Sequence, residues 1–133
     1  MNASTQNTLN FISKLTIRRV WNMGLVYLSF YFTKYWKKPV QLGKPFSISF
    51  EPTTSCNLRC PECPSGLRSF TRPIGMLEPD FFRKTMDELS KDLIYLTFYF
   101  QGEPYLNKNF LEMVSYAKKK KIYTATSTNA HYL

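Results

Sequence analysis

Every cysteine of the chain lies in one short stretch, CNLRCPEC, at Cys56, Cys60 and Cys63. The thiolate form of cysteine is both a nucleophile and a ligand for soft metals. An odd number of cysteines gathered in one stretch argues against a disulfide framework, and it favours a reducing compartment in which thiols bind metal or react. This stretch is therefore the first candidate for a site that does chemistry.

Three arrangements of these thiols fit the spacing. Intervals of four and three residues would place all three on one face of a helix, but Pro61 and Pro64 disfavour helical backbone there. A structural zinc site needs four protein ligands, and His131, the single histidine, would have to complete a Cys3His set. Three thiolates on a flexible loop suit an iron–sulfur cluster with one iron left open for another ligand. The cluster is favoured, and the zinc site stays an alternative.

The hydrophobic patterns around this loop predict alternating strands and helices. The predicted strands are residues 46–51, 93–100 and 122–128, and the predicted helices are residues 79–92 and 109–121. Elements in this order with short connections form a parallel βαβαβ unit of the α/β class. Chemistry in such sheets gathers at the carboxyl ends of the strands. Three motifs lie there: CNLRCPEC, QGEP and STNA.

The residues before the first predicted strand differ from the rest in charge. Residues 9–36 lack proline and are rich in large apolar side chains, which predicts one long helix with a break near Gly24, followed by a linker, KKPVQLGKP. The chain has 18 basic and nine acidic residues, and all seven basic residues before Glu51 stand in a segment without acids. Such a segment suits phosphate-bearing partners, although many basic segments are solvated surface.

Two roles fit this predicted helix. Its apolar run LVYLSFYF is shorter than the ~20 residues that cross a bilayer, so a transmembrane span is not predicted. Aromatic side chains flanked by arginine and lysine are typical of a helix at a membrane interface, which would give residues 9–38 a peripheral membrane contact. Packing on the protein's own body or on a partner is favoured, because apolar helical stripes are most often core. A nucleic-acid partner is not expected.

Together the motifs resemble a known family. The pattern C-x3-C-x2-C directly after a first strand resembles the signature of the radical S-adenosylmethionine (radical SAM) superfamily, and QGEP resembles its GGEP element. Residues 127–129, STN, stand where that family contributes further cofactor contacts. The resemblance covers residues 46–133. It implies the N-terminal half of the family's core domain, a partial TIM-type (β/α)6 barrel, preceded here by a long N-terminal helix.

The resemblance implies an enzyme that binds a 4Fe-4S cluster through Cys56, Cys60 and Cys63. SAM would chelate the remaining iron, and an electron from an external donor would cleave it to methionine and a 5′-deoxyadenosyl radical. That radical would abstract a hydrogen atom from an unknown substrate, of which a peptide or protein is one candidate class. No catalytic residue is assigned. The implied SAM-binding residues are Glu62, Gln101, Gly102, Glu103, Pro104, Ser127 and Asn129.

Individual positions qualify this resemblance. Glu103 is expected to meet the amino group of SAM, and its alternative role is to cap the loop before the second helix. Glu62 stands where the family usually has an aromatic residue, and Gln101 replaces the first glycine of GGEP. The chain supplies fewer strands than a barrel, which predicts a truncated core. The predicted regions are residues 1–44, the basic aromatic helix and linker, and residues 45–133, the truncated radical SAM core.

The start of the chain bears on localisation. The first ten residues, MNASTQNTLN, lack the basic and apolar regions of a signal peptide, which predicts a cytoplasmic protein that also contacts membranes if the helix is interfacial.

The alternative to an enzyme is a non-catalytic fragment that docks through its basic N-terminal helix on a membrane surface or a protein partner.

Overall fold

The computed structural model describes residues 2–132. Met1 and Leu133, the outer ends of the two predicted regions, lie outside the described residues. In chain order the elements are α1 Ala3–Ile12, α2 Ile17–Trp36, β1 Ser47–Ser49, α3 Pro64–Leu67, α4 Pro79–Leu89, β2 Tyr95–Thr97, a 3-10 turn Pro104–Leu106, α5 Phe110–Lys119 and β3 Tyr123–Ala125. The strands are parallel in the order β1-β2-β3. The predicted α/β class and the βαβαβ order are confirmed.

One face of the sheet carries the hydrophobic core. Side chains alternate along a strand, so Leu96 projects from one face while Tyr95 and Thr97 project from the other. Helices α4 and α5 cover the face that carries Leu96. The core side chains are Phe82, Met86, Leu93, Leu96, Phe98, Phe110, Met113, Ala117 and Ile122. Burial of each large side chain stabilises the fold by about 1.5–3 kcal/mol.

The other face of the sheet is polar and aromatic, and α1 covers the end at which the strands begin. The register places Tyr95 beside Tyr123, with ring centroids 5.2 Å apart. Phe11 of α1 packs edge-on against Tyr123 at 5.4 Å, and the Tyr123 hydroxyl donates a hydrogen bond of 2.7 Å to Asn7 Oδ1. The N-terminal region therefore contacts the sheet directly.

Helix α2 docks on the core through a buried arginine. Arg19 is 4% exposed. Its guanidinium donates hydrogen bonds of 2.6–3.1 Å to four backbone carbonyls, those of Lys14, Ser90, Lys120 and Lys121. Ser90 and Lys120 are the C-caps of α4 and α5, where the negative ends of helix dipoles favour a cation. The contact places α2 at the end of the sheet where the strands begin.

The segment after α2, residues 37–44, folds back along the side of α2 that carries Arg19, and we call it the return segment. Three pairs of residues connect it to α2 by hydrogen bonds of 2.8–3.0 Å: Asn22 with Lys44, Ser29 with Leu42 and Thr33 with Val40. Asn22 and Ser29 are buried. The predicted linker is therefore hydrogen-bonded along α2.

The predicted end of the N-terminal helix, Trp36, is confirmed, but its predicted start and break are wrong. A long helix is present, but the break lies at residues 13–16, between α1 and α2, and α2 continues through Gly24. Thr16 caps α2 by accepting a hydrogen bond of 3.3 Å from the Arg19 N–H, a start signal that apolar content alone does not reveal. Gly24 has open space around it and costs the helix only about 1 kcal/mol.

The remaining elements match the predicted positions but are shorter. Each strand spans three residues, because only the residues within the parallel ladder keep regular pairing. Helix α4 ends at Leu89 rather than Asp92, and α5 begins at Phe110 and ends at Lys119. The cysteine stretch is followed at once by α3, a short helix that lies within the predicted loop.

Candidate functional site

The cysteine loop begins at the carboxyl end of β1 and ends at α4. Hydrogen bonds connect its two ends. The Thr54 N–H donates to the Gly75 carbonyl at 3.2 Å, and the Leu77 N–H donates to the Pro52 carbonyl at 2.9 Å. Asn107, which is buried, donates from Nδ2 to the carbonyls of Pro52 and Leu77 at 2.7 and 3.1 Å. The two ends of the loop are therefore held together by a residue that follows β2.

The cysteine stretch itself is an irregular loop, so the helical arrangement of the thiols is not what the chain adopts. Cys63 is the N-cap of α3, and Pro64 occupies the first helical position, where its missing N–H costs nothing. The backbone N–H groups of Gly66, and then of Ser65, lie near the Cys63 sulfur and lower the pKa of its thiol. Cys60 is exposed, and Cys56 and Cys63 are partly exposed.

The QGEP loop after β2 lies against the cysteine loop. Gly102 has φ +78°, and a Cβ there would clash with the carbonyl oxygen of Thr53, so no other residue fits without a shift of backbone. The Gly102 N–H donates to Ser65 Oγ at 3.0 Å, and Gln101 Oε1 accepts from Ser65 Oγ at 3.1 Å and from the Cys63 thiol at 3.6 Å. The loops after β1 and β2 thus form one unit.

Glu103 joins the loops after all three strands. Its backbone N–H donates to the Ser55 carbonyl at 2.8 Å, and its side chain is almost fully buried, at 2% exposed. Carboxylate Oε1 accepts from the Tyr105 N–H at 3.2 Å and the Thr128 hydroxyl at 2.7 Å, while Oε2 accepts from the Asn129 N–H at 2.8 Å. The Tyr105 contact caps the 3-10 turn, so the capping role is present. Contact with the amino group of SAM stays a prediction.

Asn129 connects the end of β3 to the cysteine loop. Its Nδ2 donates to Asn57 Oδ1 at 2.8 Å and lies 3.9 Å from Cys56 Sγ. Ser127 and Glu62 are both exposed, and the hydrogen-bond network described within residues 2–132 does not include their side chains. Pro104 is buried and starts the 3-10 turn. The structure therefore brings together most of the predicted residues and leaves three exposed: Cys60, Glu62 and Ser127.

Several residues of this network were not predicted. They are Ser55, Asn57, Ser65 and Asn107. Serine, threonine and asparagine are frequent in any loop, so their types alone carry no signal. Thr128 lies within the predicted STN motif but was not in the implied SAM-binding set, and it is Thr128, not Ser127, whose side chain donates to Glu103.

A cavity of about 400 Å³ opens beside Cys56. Its lining residues are Thr54, Ser55, Cys56, Ser65, Arg68, Phe70, Arg72 and Ile74. Arg72 pairs with Glu51 at 2.7 Å and lies 4.8 Å above the Phe70 ring. Half of the lining residues therefore come from the segment between α3 and α4, for which the sequence predicted no role.

The donor set fits an iron–sulfur cluster by its chemistry. Thiolates are the ligands of such clusters, and the loop supplies three of them, one with a lowered pKa. No group of three or more histidine, cysteine, aspartate or glutamate side chains within residues 2–132 is close enough to hold a metal ion as arranged. The case for cluster or zinc therefore rests on residue types, spacing and fold, not on a preassembled geometry.

Comparisons with known proteins bear on residues 50–133, which match the family model described as the Radical SAM superfamily. PqqA peptide cyclase of Rhodopseudomonas palustris is 30% identical over 88 residues, which are 66% of this chain and 23% of that protein. Mycofactocin maturase MftC of Mycobacterium tuberculosis is 32% identical over 88 residues, 66% of this chain and 22% of that protein. The chain spans about a quarter of the length of these curated relatives.

A solved structure also resembles the fold. The crystal structure of BtrN in complex with AdoMet and 2-DOIA matches with a TM-score of 0.60 and 28% sequence identity. The match covers 68% of this chain and 38% of BtrN. The likeness therefore extends over about two thirds of this chain.

Proposed function

The chain belongs to the radical SAM superfamily, and from that membership we propose that residues 45–133 bind a 4Fe-4S cluster and SAM in an enzyme that cleaves SAM reductively. The expected fold class, the N-terminal half of a partial TIM-type (β/α)6 barrel, is confirmed by the parallel sheet and by the likeness to BtrN. The division of the chain at residues 44 and 45 is part of the proposal.

One observation supports the proposal most directly: the loops after β1, β2 and β3 meet in a single hydrogen-bonded network around Glu103. Carboxyl ends of parallel strands are where α/β folds bind ligands. Cysteine sulfurs from the first loop therefore lie beside polar groups from the second and third. This is the combination that a cluster and a polar cofactor bound at its edge require.

Each residue has a role in this proposal. The Cys56, Cys60 and Cys63 sulfurs would ligate three irons. Gly102 keeps the QGEP backbone against the cysteine loop, and Glu103 retains acceptor capacity, because a carboxylate can accept about four hydrogen bonds and three are made within the protein. That capacity would receive the ammonium of SAM. The proposed SAM-binding set also includes Glu62, Gln101, Pro104, Ser127 and Asn129.

The cofactors would supply the radical chemistry: when bound, the reduced cluster gives the electron that cleaves SAM to methionine and a 5′-deoxyadenosyl radical, which abstracts a substrate hydrogen atom. The protein's part is ligation, orientation and exclusion of water. An external donor provides the electron. We take a peptide or protein as the substrate class, because one relative is named a peptide cyclase.

The test is anaerobic reconstitution of the chain with iron and sulfide. We expect the broad visible absorption of an iron–sulfur cluster and an electron paramagnetic resonance signal of the reduced form that changes when SAM is added. The control is the variant with Cys56, Cys60 and Cys63 all replaced by alanine. Absence of the absorption in the unmodified chain, its persistence in the variant, or a signal indifferent to SAM would each count against the proposal.

The alternative of a non-catalytic docking fragment is not favoured, because the family match covers residues 50–133 and includes the cysteine motif. Peripheral membrane contact is compatible with the enzyme rather than an alternative to it. Within residues 2–132, no helix is long and apolar enough to cross a membrane. A cytoplasmic location remains a proposal.

A further inference from the structure

Helix α2 has the reverse of the usual amphipathic arrangement. Helices on a protein surface bury an apolar face and expose polar residues. The buried residues of α2 are Arg19, Asn22 and Ser29, all polar. Most of its large apolar side chains are exposed instead. We call the most aligned of these the apolar stripe, which comprises Ile17, Val20, Trp21, Leu28, Tyr31 and Tyr35.

The spacing of the apolar stripe shows that it forms one continuous face. Intervals of three, four and seven residues place its members on the same side of a helix of 3.6 residues per turn. Ile17 is 92% exposed, Trp21 is 71% exposed and Tyr35 is 87% exposed. A 20-residue helix is about 30 Å long, so the exposed face is large. Contiguous exposed apolar surface of this kind marks an interaction site.

The fold does not need this face for its own packing. The opposite side of α2 is held by Arg19 and by the return segment, whose hydrogen bonds with Asn22, Ser29 and Thr33 extend along much of the helix. The polar residues of α2 are thus used for docking on the body. The apolar stripe is left for a partner outside residues 2–132.

Charge and residue type identify the partner. Tyrosine and tryptophan are the side chains that prefer the head-group level of a membrane. Lys34 lines the same surface groove as Tyr31, Tyr35 and Trp36, and Lys37 and Lys38 follow directly. The first 50 residues contain no acid that would repel an anionic surface. We propose that the outer face of α2 binds an anionic membrane surface, with the helix lying in the plane of the head groups.

This contact would orient the candidate functional site. Arg19 attaches α2 to the C-terminal ends of α4 and α5, which lie where the strands begin. The cysteine loop lies at the opposite, carboxyl end of the strands. A chain bound through the apolar stripe therefore presents its candidate site away from the bilayer, toward the aqueous phase. The proposal does not depend on the chemistry of that site.

The chain contains its own probe for this surface. Its two tryptophans, Trp21 and Trp36, both lie on α2 and are both exposed. We expect a blue shift of tryptophan emission, and cosedimentation of the protein, with vesicles of phosphatidylcholine and phosphatidylglycerol. Brominated acyl chains in these vesicles should quench the emission. Pure phosphatidylcholine vesicles should bind much less, and added salt should weaken binding to the anionic ones.

Two variants and a control sharpen the test. The variant Lys34→Gln, Lys37→Gln and Lys38→Gln removes three positive charges. It should weaken binding to the anionic vesicles about 100-fold, at roughly fivefold per lysine. Replacing apolar area with Tyr31→Ser and Tyr35→Ser should reduce binding and the blue shift together. The control, Lys84→Gln with Lys108→Gln, removes exposed charges that lie away from the C-terminal end of α5 and should leave binding unchanged. Circular dichroism checks that each variant is folded.

The contrary outcomes are distinct. Protein that stays in the supernatant with anionic vesicles at low salt overturns the proposal, and so does equal binding to uncharged vesicles. A blue shift that grows with protein concentration in the absence of vesicles would show that a second copy covers the apolar stripe instead. Cluster formation is unaffected by any of these results, so they leave the proposed enzymatic function standing.

Discussion

Glu103 illustrates how single residues determine this site. Its buried carboxylate is compensated by hydrogen bonds from Tyr105, Thr128 and Asn129 rather than by a cation within hydrogen-bonding distance. Burial of a charge is tolerated when donors satisfy it in this way. The same carboxylate therefore holds the loop after β3 against the loop after β2. A contact with cofactor would add to this structural role, not replace it.

Cys63 offers a prediction on pH. The N–H groups of Gly66 and Ser65 favour the thiolate and lower its pKa, so iron-free protein should react with iodoacetamide at Cys63 at a lower pH than an ordinary thiol does. The Cys63 thiolate stabilises the fold at pH values above the pKa of this thiol in the unfolded chain. This contribution is lost as the pH falls through the lowered pKa of the thiol in the folded chain. Mass spectrometry of short alkylation pulses across pH measures the midpoint.

The control for this prediction is the same thiol in urea, where the backbone donors are no longer oriented toward the sulfur. The pH midpoint for alkylation of Cys63 should rise in the unfolded chain. Equal midpoints in the folded and unfolded protein would contradict the role assigned to the two N–H groups.

Two glycines differ in what an added methyl group would meet. Gly102→Ala places a Cβ against the Thr53 carbonyl at a positive φ, and it should destabilise the fold by about 2 kcal/mol or more. Gly24→Ala adds a methyl group in open space within α2 and should stabilise the fold by about 0.5–1 kcal/mol. Urea unfolding followed by circular dichroism gives both values. Similar effects of the two substitutions would refute the close contact at Gly102.

At the scale of elements, the attachment of α2 explains why the N-terminal region is ordered on the core. Most helices dock by apolar burial, but α2 docks by satisfying carbonyls at the C-terminal ends of α4 and α5. These carbonyls have no partner within their own helices. Arg19 therefore performs a capping function for two helices at once and fixes their ends relative to α2.

Adjacent arginines allow a matched comparison. Arg19→Met leaves buried carbonyls without donors and should cost about 3 kcal/mol or more of the free energy of unfolding. Arg18, whose side chain is 61% exposed, pairs with the buried Asp92 at 2.7 Å through one side chain only, so Arg18→Met should lower the free energy of unfolding by less than Arg19→Met does. Urea midpoints measured at neutral pH compare the two. Equal losses would show that the buried contacts of Arg19 add nothing to the docking of α2.

The molecule as a whole has two ends with different properties. The carboxyl ends of the strands carry the cysteine and Glu103 loops, while the opposite end carries α1 and α2. Within the described residues, β1 and β3 each pair with β2 alone, so each has an unpaired edge. Exposed edges of this kind template association with further strands. The parallel sheet is thus able to add strands on either side.

Self-association is therefore expected at high protein concentration, through the free edge of β3. The alternation of hydrogen bonds along a strand directs the Thr124 N–H outward, because Tyr123 and Ala125 bond toward β2. Thr124→Pro should remove this donor and reduce association, while Thr124→Ala, which keeps it, should not. Sedimentation velocity across a concentration series measures the effect. A chain that stays monomeric throughout, or a proline variant that associates as strongly, would contradict this expectation.

The sequence by itself predicted much of the candidate site. Cys56, Cys60 and Cys63 are a local pattern, and the prolines around them disfavoured a helix without any structure. Alternating apolar runs placed the three motifs at strand ends, and the resemblance that followed predicted the family correctly. These signals are local, because spacing and periodicity depend only on residues that are near one another along the chain.

Only the tertiary structure decided the partners of the buried polar groups. Arg19 bonds Lys121, which is 102 positions away, and Asn107 bonds Pro52, which is 55 positions away. Apolar content predicted that α2 would pack through its aromatic side. Its polar side is buried instead, because hydrogen-bond donors and acceptors that are distant in sequence contact that side. The physical reason is that a buried polar group is stable only with a partner, and the fold, not the local sequence, brings that partner into contact.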